Sequence, residues 1–169
     1  MKQLLTLLLL FTCSFTSIKC SRVKNDDCYK THKTVVKKQL PCQQLNEALI
    51  KYSKQYGIPL KYCYALAYAE TRYQGPKHFN YKHNKISSAG ARGALQIIPS
   101  TANRICKRRV NLDSLTNDIN LNVMISMRLL RRCKNKFGSW DKAFAFYNTG
   151  QIEINQYALN IINKNYKWK

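Results

Sequence analysis

Between Pro59 and the Gly75-Pro76 pair lies a stretch, Leu60 to Tyr73, that is apolar nearly all the way round. Cys63, Tyr64, Ala65, Leu66, Ala67, Tyr68 and Ala69 leave no polar stripe. A helix of this kind cannot lie on a surface and must run through the middle of a fold. Pro59 suits its first position, where the missing N–H costs nothing. The rest of the chain must then supply helices that each turn one apolar face toward it.

The flanking sequence reads that way. From Gln44, the residues Leu45, Ala48, Leu49, Tyr52 and Tyr56 recur with helical spacing, and Gly57 supplies the stop. Gln74 to Ala89 reads as loop. Pro99 opens a short helix to about Cys106. Asp118 can cap a longer one, with Ile119, Val123, Met127 and Leu130 on one face up to Phe137, and Gly138 ends it. Ser139 can cap a helix carrying Trp140, Ala143, Phe144 and Tyr147 that ends at Asn148-Thr149-Gly150. A last helix is expected from about Ile152 to Asn163, with Tyr157, Ala158 and Ile161 inward. No segment alternates apolar and polar residues between hairpin turns. The expected fold is all-α, in one domain, which suits 169 residues.

Ahead of that domain, Met1-Lys2 leads into an apolar run from Leu4 to Phe11 and then small and polar residues. This is the pattern of a secretory signal peptide over residues 1–20, too short an apolar run to span a bilayer comfortably. The alternative is an uncleaved segment that tethers the chain to a membrane. Residues 21–43 read as a basic arm, and 44–169 as the helical domain. Export to the periplasm or cell envelope follows from this reading, and seven cysteines fit an oxidising compartment. None has metal-ligand spacing, so no metal and no cofactor is expected. Cys106 and Cys133, each ending a helical stretch, are the pair suggested for a disulfide.

Lys and Arg number 29 against 8 acids, a net charge of +21. That excess favours polyanionic surroundings: nucleic acid, anionic membrane or an acidic cell wall. The clusters Arg104/Lys107/Arg108/Arg109 and Arg128/Arg131/Arg132/Lys134/Lys136 invite nucleic acid. They lie opposite apolar helix stripes, as solvated faces do, and the export signal argues against contact with cellular nucleic acid. No nucleic-acid partner is expected.

Only three glutamates occur: Glu47, Glu70 and Glu153. Glu47 and Glu153 read as first-turn residues, where a negative charge suits the helix dipole. Glu70 instead closes the apolar helix. Burial without a partner raises a carboxyl's pKa, and a carboxylic acid kept protonated near neutrality is what protonation of a glycosidic oxygen requires. A structural ion pair with Arg72 or another cation is the other reading of Glu70. Further on, Ser87 to Ala102 contains Gly90-Ala91-Arg92-Gly93, then Gln96 within an apolar run, then Pro99 opening a helix. Glycines there permit close backbone approach to a ligand, and Gln96 must find hydrogen-bond partners in the protein or in a sugar.

Together these motifs resemble the lysozyme-like domain of soluble lytic transglycosylases, over roughly residues 45–165. Glu70-Thr71 matches the family's helix-ending Glu-Ser/Thr, Ser87 to Ala102 its Ser-x-x-Gly-Ala-x-Gly-Leu-Met-Gln-x-x-Pro-x-Thr-Ala, and Phe146 to Gly150 its Ala-Tyr-Asn-Ala-Gly. The resemblance implies a goose-lysozyme/transglycosylase-type helical domain that cleaves peptidoglycan glycan strands, with Glu70 as general acid/base. It also implies that Ser87 and Gln96 contact the substrate's N-acetyl and hydroxyl groups, that Tyr147 hydrogen-bonds the catalytic carboxyl, and that Asn148 lines the cleft. Secretion or conjugation machines are the partners that small enzymes of this kind suggest. The chain departs from the pattern in a longer loop before Ser87, which leaves Ser87 and Ser88 both open as the inward serine. Ala94-Leu95 stands for Leu-Met, Phe146 for a small residue, and Asn122 for a helix glycine.

Most glycosidases need two carboxylates. Asp113, Asp118, Asp141 and Glu153 remain after Glu70, and none accompanies a cleft motif. The resemblance implies that the muramic C6 hydroxyl serves as nucleophile and yields a 1,6-anhydro sugar. A hydrolytic muramidase of goose-lysozyme type and a non-catalytic wall-binding or secretion-assembly module are the alternatives.

Overall fold

The structure, a computed structural model, describes residues 39–164. The signal-peptide segment and nearly all of the basic arm lie outside the described residues, as do Cys13, Cys20 and Cys28. Seven helices follow one another there: α1 (Pro41–Tyr56), α2 (Leu60–Thr71), α3 (Pro99–Cys106), α4 (Leu112–Asn117), α5 (Ile119–Phe137), α6 (Trp140–Thr149) and α7 (Gln156–Asn163). Among the described residues the β-type pairing outside them is confined to isolated bridges, Ile86 with Arg92 and Arg92 with Ile97. The fold is all-α, as the periodicity indicates.

The longest helix, α5, packs against α1, α3, α4 and α6, while α2 packs against α1 and α7. Its pattern explains why. Val123, Met127 and Leu130 enter a core shared with Leu45 and Leu49 of α1, Leu66 of α2 and Phe144 of α6. Ile125, Leu129 and Cys133, on another face of the same helix, enter a second core with Ile97, Ile105, Leu115 and Ala143. One helix buried on two faces leaves a single solvated strip, and that strip carries its basic residues. One of these cations is structural: the Arg131 guanidinium donates to the Tyr56 and Gly57 carbonyls at the end of α1 and lies over the Trp140 ring. Such carbonyls at a helix end have no partner inside the helix.

Two boundaries and one helix differ from expectation. α1 begins at Pro41 rather than Gln44, because Pro41 takes the N-terminal position and the Leu40 N–H donates to the Gln43 side chain at 3.3 Å. The expected arm therefore gives up its last three residues to the helix, and Glu47 sits in the second turn, accepting from Gln39. α7 begins at Gln156 rather than Ile152, since Asn155 caps it by accepting from the Ala158 N–H at 3.0 Å. Glu153 consequently lies exposed ahead of the helix and not in its first turn. Helix α4 was not anticipated; Asn111 caps it by accepting from the Ser114 N–H. Asp118 caps α5 as expected, accepting from the Leu121 N–H at 3.0 Å.

Cys106 and Cys133 both border the second core as free thiols, and no disulfide joins them. Burial, opposed by Arg104 and Lys136, pushes the Cys133 thiol up to about 11. Among the described residues no helix is long and apolar enough to cross a membrane.

Candidate active site

Glu70 is the penultimate residue of α2, followed by Thr71 and by Arg72 in the left-handed conformation (φ 60°) that ends the helix. Thr71 is buried, and its hydroxyl meets three groups: the Ala67 carbonyl at 3.2 Å, the Ala94 carbonyl at 2.9 Å and the Tyr81 hydroxyl at 2.8 Å. A short β-branched hydroxyl beside the acid thus ties the end of α2 to the glycine-containing loop. That is a physical reason for threonine to follow Glu70.

The loop is held from the other side by Asn122 of α5, which is wholly buried. Its Nδ2 donates to the Arg92 and Leu115 carbonyls at 2.8 and 2.9 Å, and its Oδ1 accepts from the Leu95 N–H at 2.9 Å. Gly93, at φ 78°, passes so close that a Cβ there would stand 2.3 Å from the Asn122 amide nitrogen. The chain then turns through Gln96 at φ 50°, an uncommon conformation for a non-glycine residue. Gln96 stabilises its own turn, its Nε2 donating to the Gly93 carbonyl at 2.9 Å and the Lys85 carbonyl at 3.1 Å. Both partners are acceptors, which fixes the amide orientation and leaves Oε1 as the group available to a ligand.

An open groove of about 470 Å³ runs past these residues. Glu70, Ser87, Gln96, Tyr147 and Asn148, the five positions singled out from the sequence, all line it, with Ile97, Ile98, Thr101, Arg104, Leu129 and Phe146 among the other walls. Of the two candidate serines, Ser87 lines the groove and Ser88 does not. The Ser87 Oγ accepts from the Ala91 N–H at 3.0 Å, so its proton remains free to donate. Asn148 stands at the exposed end of α6.

One expected contact is replaced. The Tyr147 hydroxyl does not hold Glu70; it donates to the Leu95 carbonyl at 2.6 Å and lies 3.1 Å from the Ser126 Oγ. The Leu95 carbonyl sits in a buried turn and needs a donor. Glu70 Oε1 instead accepts from the Tyr157 hydroxyl of α7. Tyr157 was foreseen only as an inward-facing core residue. Nothing in the sequence pairs it with a carboxyl 87 positions earlier; the pairing arises because α7 packs on α2. The alternative ion pair with Arg72 is not formed, since that guanidinium lies over the Tyr68 ring, 5.2 Å from its centroid.

Electrostatics follow from the geometry. Burial pushes the Glu70 carboxyl up to about 7, and the Tyr157 hydrogen bond only partly opposes it. Burial first, and then the nearby Glu70 charge, hold the Tyr147 and Tyr157 hydroxyls well above the usual phenol range, so both remain donors. Among the described residues Glu70 is the one carboxyl on the groove wall. The arrangement is a half-buried acid poised to give up and retake a proton near neutrality, facing a groove lined with an amide, hydroxyls and apolar side chains.

Residues 47–167 match the transglycosylase SLT domain. The chain belongs to that family. Its fold is also found in the X-ray structure of an inactive mutant of the lytic transglycosylase Slt from Pseudomonas aeruginosa, a glutamate-to-glutamine replacement (20% identity, TM-score 0.51, 62% of this chain and 16% of that one). The 70 kDa soluble lytic transglycosylase from Escherichia coli is similar at 25% identity and TM-score 0.51, over 69% of this chain and 18% of that one. A complex of the 70 kDa soluble lytic transglycosylase with bulgecin A gives a TM-score of 0.52 at 25% identity, with the same coverage of 69% and 18%. This SLT domain therefore spans under a fifth of each of those proteins. No curated protein sequence matches the chain.

Proposed function

We propose that this chain is a lytic transglycosylase that cleaves the β-1,4 bond between N-acetylmuramic acid and N-acetylglucosamine in peptidoglycan, with Glu70 as its general acid and base. The observation that carries this reading is a single carboxyl in the groove, desolvated to a pKa of about 7 and oriented by a phenol. Protonated Glu70 donates to the glycosidic oxygen as the bond to the muramic C1 breaks. The resulting carboxylate then takes the proton of the muramic C6 hydroxyl as that oxygen closes on C1, leaving a 1,6-anhydro sugar and a regenerated acid. Because the substrate supplies the nucleophile, the second carboxylate of other glycosidases is not needed. Asp113, Asp118, Asp141 and Glu153 stand away from the groove wall, in keeping with that chemistry. The Ser87 hydroxyl and the Gln96 Oε1 serve the sugar's N-acetyl and hydroxyl groups, with Asn148 beside them. The relative crystallised inactive through a glutamate-to-glutamine change and the bulgecin complex are consistent with such a site. The reading includes export to the periplasm or cell envelope, where this substrate lies. A role beside a secretion or conjugation machine would suit so small a wall-opening enzyme.

The test is mass spectrometry of peptidoglycan digested with the full chain and with its Glu70→Gln variant. Anhydro-muramic ends from the first and none from the second are expected. Reducing ends alone would make the protein a hydrolytic muramidase. Undiminished lysis by Glu70→Gln would remove Glu70 from the mechanism, and no lysis by either would leave a wall-binding module.

A further inference from the structure

We propose that the arm of the groove between α3, α5 and α6 is a subsite for a carboxylate carried on the C3 substituent of a muramic residue, held by Arg104. The inference rests on the substrate class proposed above and adds what selects among its forms. Thr101 and Arg104 are one turn apart on α3 and both line the groove; Leu129 of α5 and Phe146 of α6 close the same arm. Of the basic residues clustered on α3 and α5, Arg104 alone lines the groove. Its guanidinium has no hydrogen-bond partner among the described residues. It is not a partner of Glu70 either, because burial and the Tyr157 hydrogen bond account for that carboxyl's shift with no cation contributing.

A glycan strand's hydroxyls and N-acetyl groups carry no charge, so an arginine in the groove is not required to bind them. Every second sugar, however, bears a lactyl ether at C3. That ether ends either in a peptide stem with free carboxylates or, once the stem is cut away, in its own carboxylate. An arginine fork binds a carboxylate by two parallel hydrogen bonds. Phe146 is suited to the rest of the same residue: half-exposed, tilted against Phe137 at 5.2 Å between centroids, it offers a rigid apolar face to a sugar ring.

The experiment measures binding to the full-length Glu70→Gln protein, with and without Arg104→Gln added, so that turnover plays no part. Calorimetry would use three probes: muropeptide oligomers with intact stems, the same oligomers after amidase removal of the stems, and an uncharged chito-oligosaccharide. Loss of a charge-assisted pair predicts about tenfold or more weaker binding of carboxylate-bearing probes, with the chito-oligosaccharide unchanged. Arg104→Lys would retain only part of the affinity. Weakening confined to the stemmed probe assigns the carboxylate to the peptide, weakening confined to the stem-free probe assigns it to the lactyl group, and weakening of both means that the arginine takes either carboxylate. Equal weakening of all three probes, or of none, overturns the subsite. If the parent chain proves unable to cut glycan, the proposed function fails while the binding comparison still decides Arg104. In an active enzyme the same substitution should raise KM on strands that carry the bound carboxylate.

Discussion

Replacing Glu70 by glutamine should make the protein more stable, and only at high pH. The acid titrates near 4.5 when unfolded and at about 7 in the fold, chiefly because burial disfavours its charge. Below about pH 4.5 both states hold the proton and nothing differs. Between 4.5 and 7 the unfolded chain releases its proton while the folded one keeps it, so stability declines as pH rises. Above about pH 7 the folded carboxylate bears the full penalty. A difference of about 2.5 pKa units corresponds to about 3 kcal/mol; the protein's net charge of +21 favours ionisation and makes this an upper figure. Glutamine is isosteric, can still accept from Tyr157 and never ionises. Urea denaturation of wild type and Glu70→Gln at about pH 4 and pH 8 separates the terms, because every other titrating group cancels in the comparison. The midpoints should nearly coincide at the lower pH. At the higher pH the variant's midpoint should lie on the order of 1–2 M above wild type, for a urea slope of about 2 kcal/mol/M. Parallel midpoints at both pH values, or a variant less stable at pH 8, would refute the desolvated-acid account.

Four further outcomes follow from the same geometry. Tyr157→Phe removes the one hydrogen bond that lowers the Glu70 pKa, so the alkaline limb of kcat/KM should move to higher pH in pH–rate measurements. Gly93→Ala places a Cβ 2.3 Å from Asn122 Nδ2 and 2.7 Å from the Leu115 carbonyl at φ 78°, and thermal denaturation should report a loss of about 3 kcal/mol or more. Gly90→Ala meets nothing within 4 Å and should lose only the left-handed conformational term of about 1–2 kcal/mol. Asn122→Ala orphans the buried Leu95 N–H and two carbonyls; denaturant titration should show a loss of about 2–4 kcal/mol, with weakened sugar binding because the Gln96 turn loses its support.

How far the sequence discloses this structure depends on whether the cause is local. α3 begins at Pro99 and α5 runs from Asp118 to Gly138 as read, because a proline, an aspartate cap and a left-handed glycine act on their immediate neighbours. The start of α7 differs from the expected Ile152 for a local reason too: Ile152 and Ile154 are exposed, and Asn155 supplies the cap. The five groove residues were legible because the motifs that carry them recur in a recognisable order. Tyr147 and Tyr157 were not separable from sequence. Each is a phenol on an inward helix face, and which one reaches Glu70 is decided by how α6 and α7 dock. The role of Asn122 belongs to the same class, since its three partners lie 7 to 30 positions away.

For the proposed role of Glu70 as proton donor, the hardest requirement on this site is exclusion. With 29 lysines and arginines in the chain, the default neighbour of a lone glutamate is a cation, and one cation within about 4–6 Å would lower its pKa by 1–3 units and abolish the proton donor. Desolvation alone, with no donor at all, would leave the carboxyl free to swing and unready to protonate a particular oxygen. The phenol of Tyr157 satisfies both demands: it fixes one carboxyl oxygen, yet carries no formal charge, and its own raised pKa keeps it a donor. The adjacent Arg72 is turned away by two features of its position, the left-handed φ of 60° that ends α2 and the Tyr68 ring beneath its guanidinium. Tyr68 lies one turn back along the same helix, so the cation most dangerous to the acid is drawn onto a neighbouring face of α2. It follows that Tyr68→Ala should release Arg72, together with the Lys164 ammonium that lies over the same ring at 3.7 Å, lower the Glu70 pKa and shift the alkaline limb of kcat/KM to lower pH, the direction opposite to Tyr157→Phe. An unchanged profile for Tyr68→Ala would mean that the backbone turn alone keeps the arginine away.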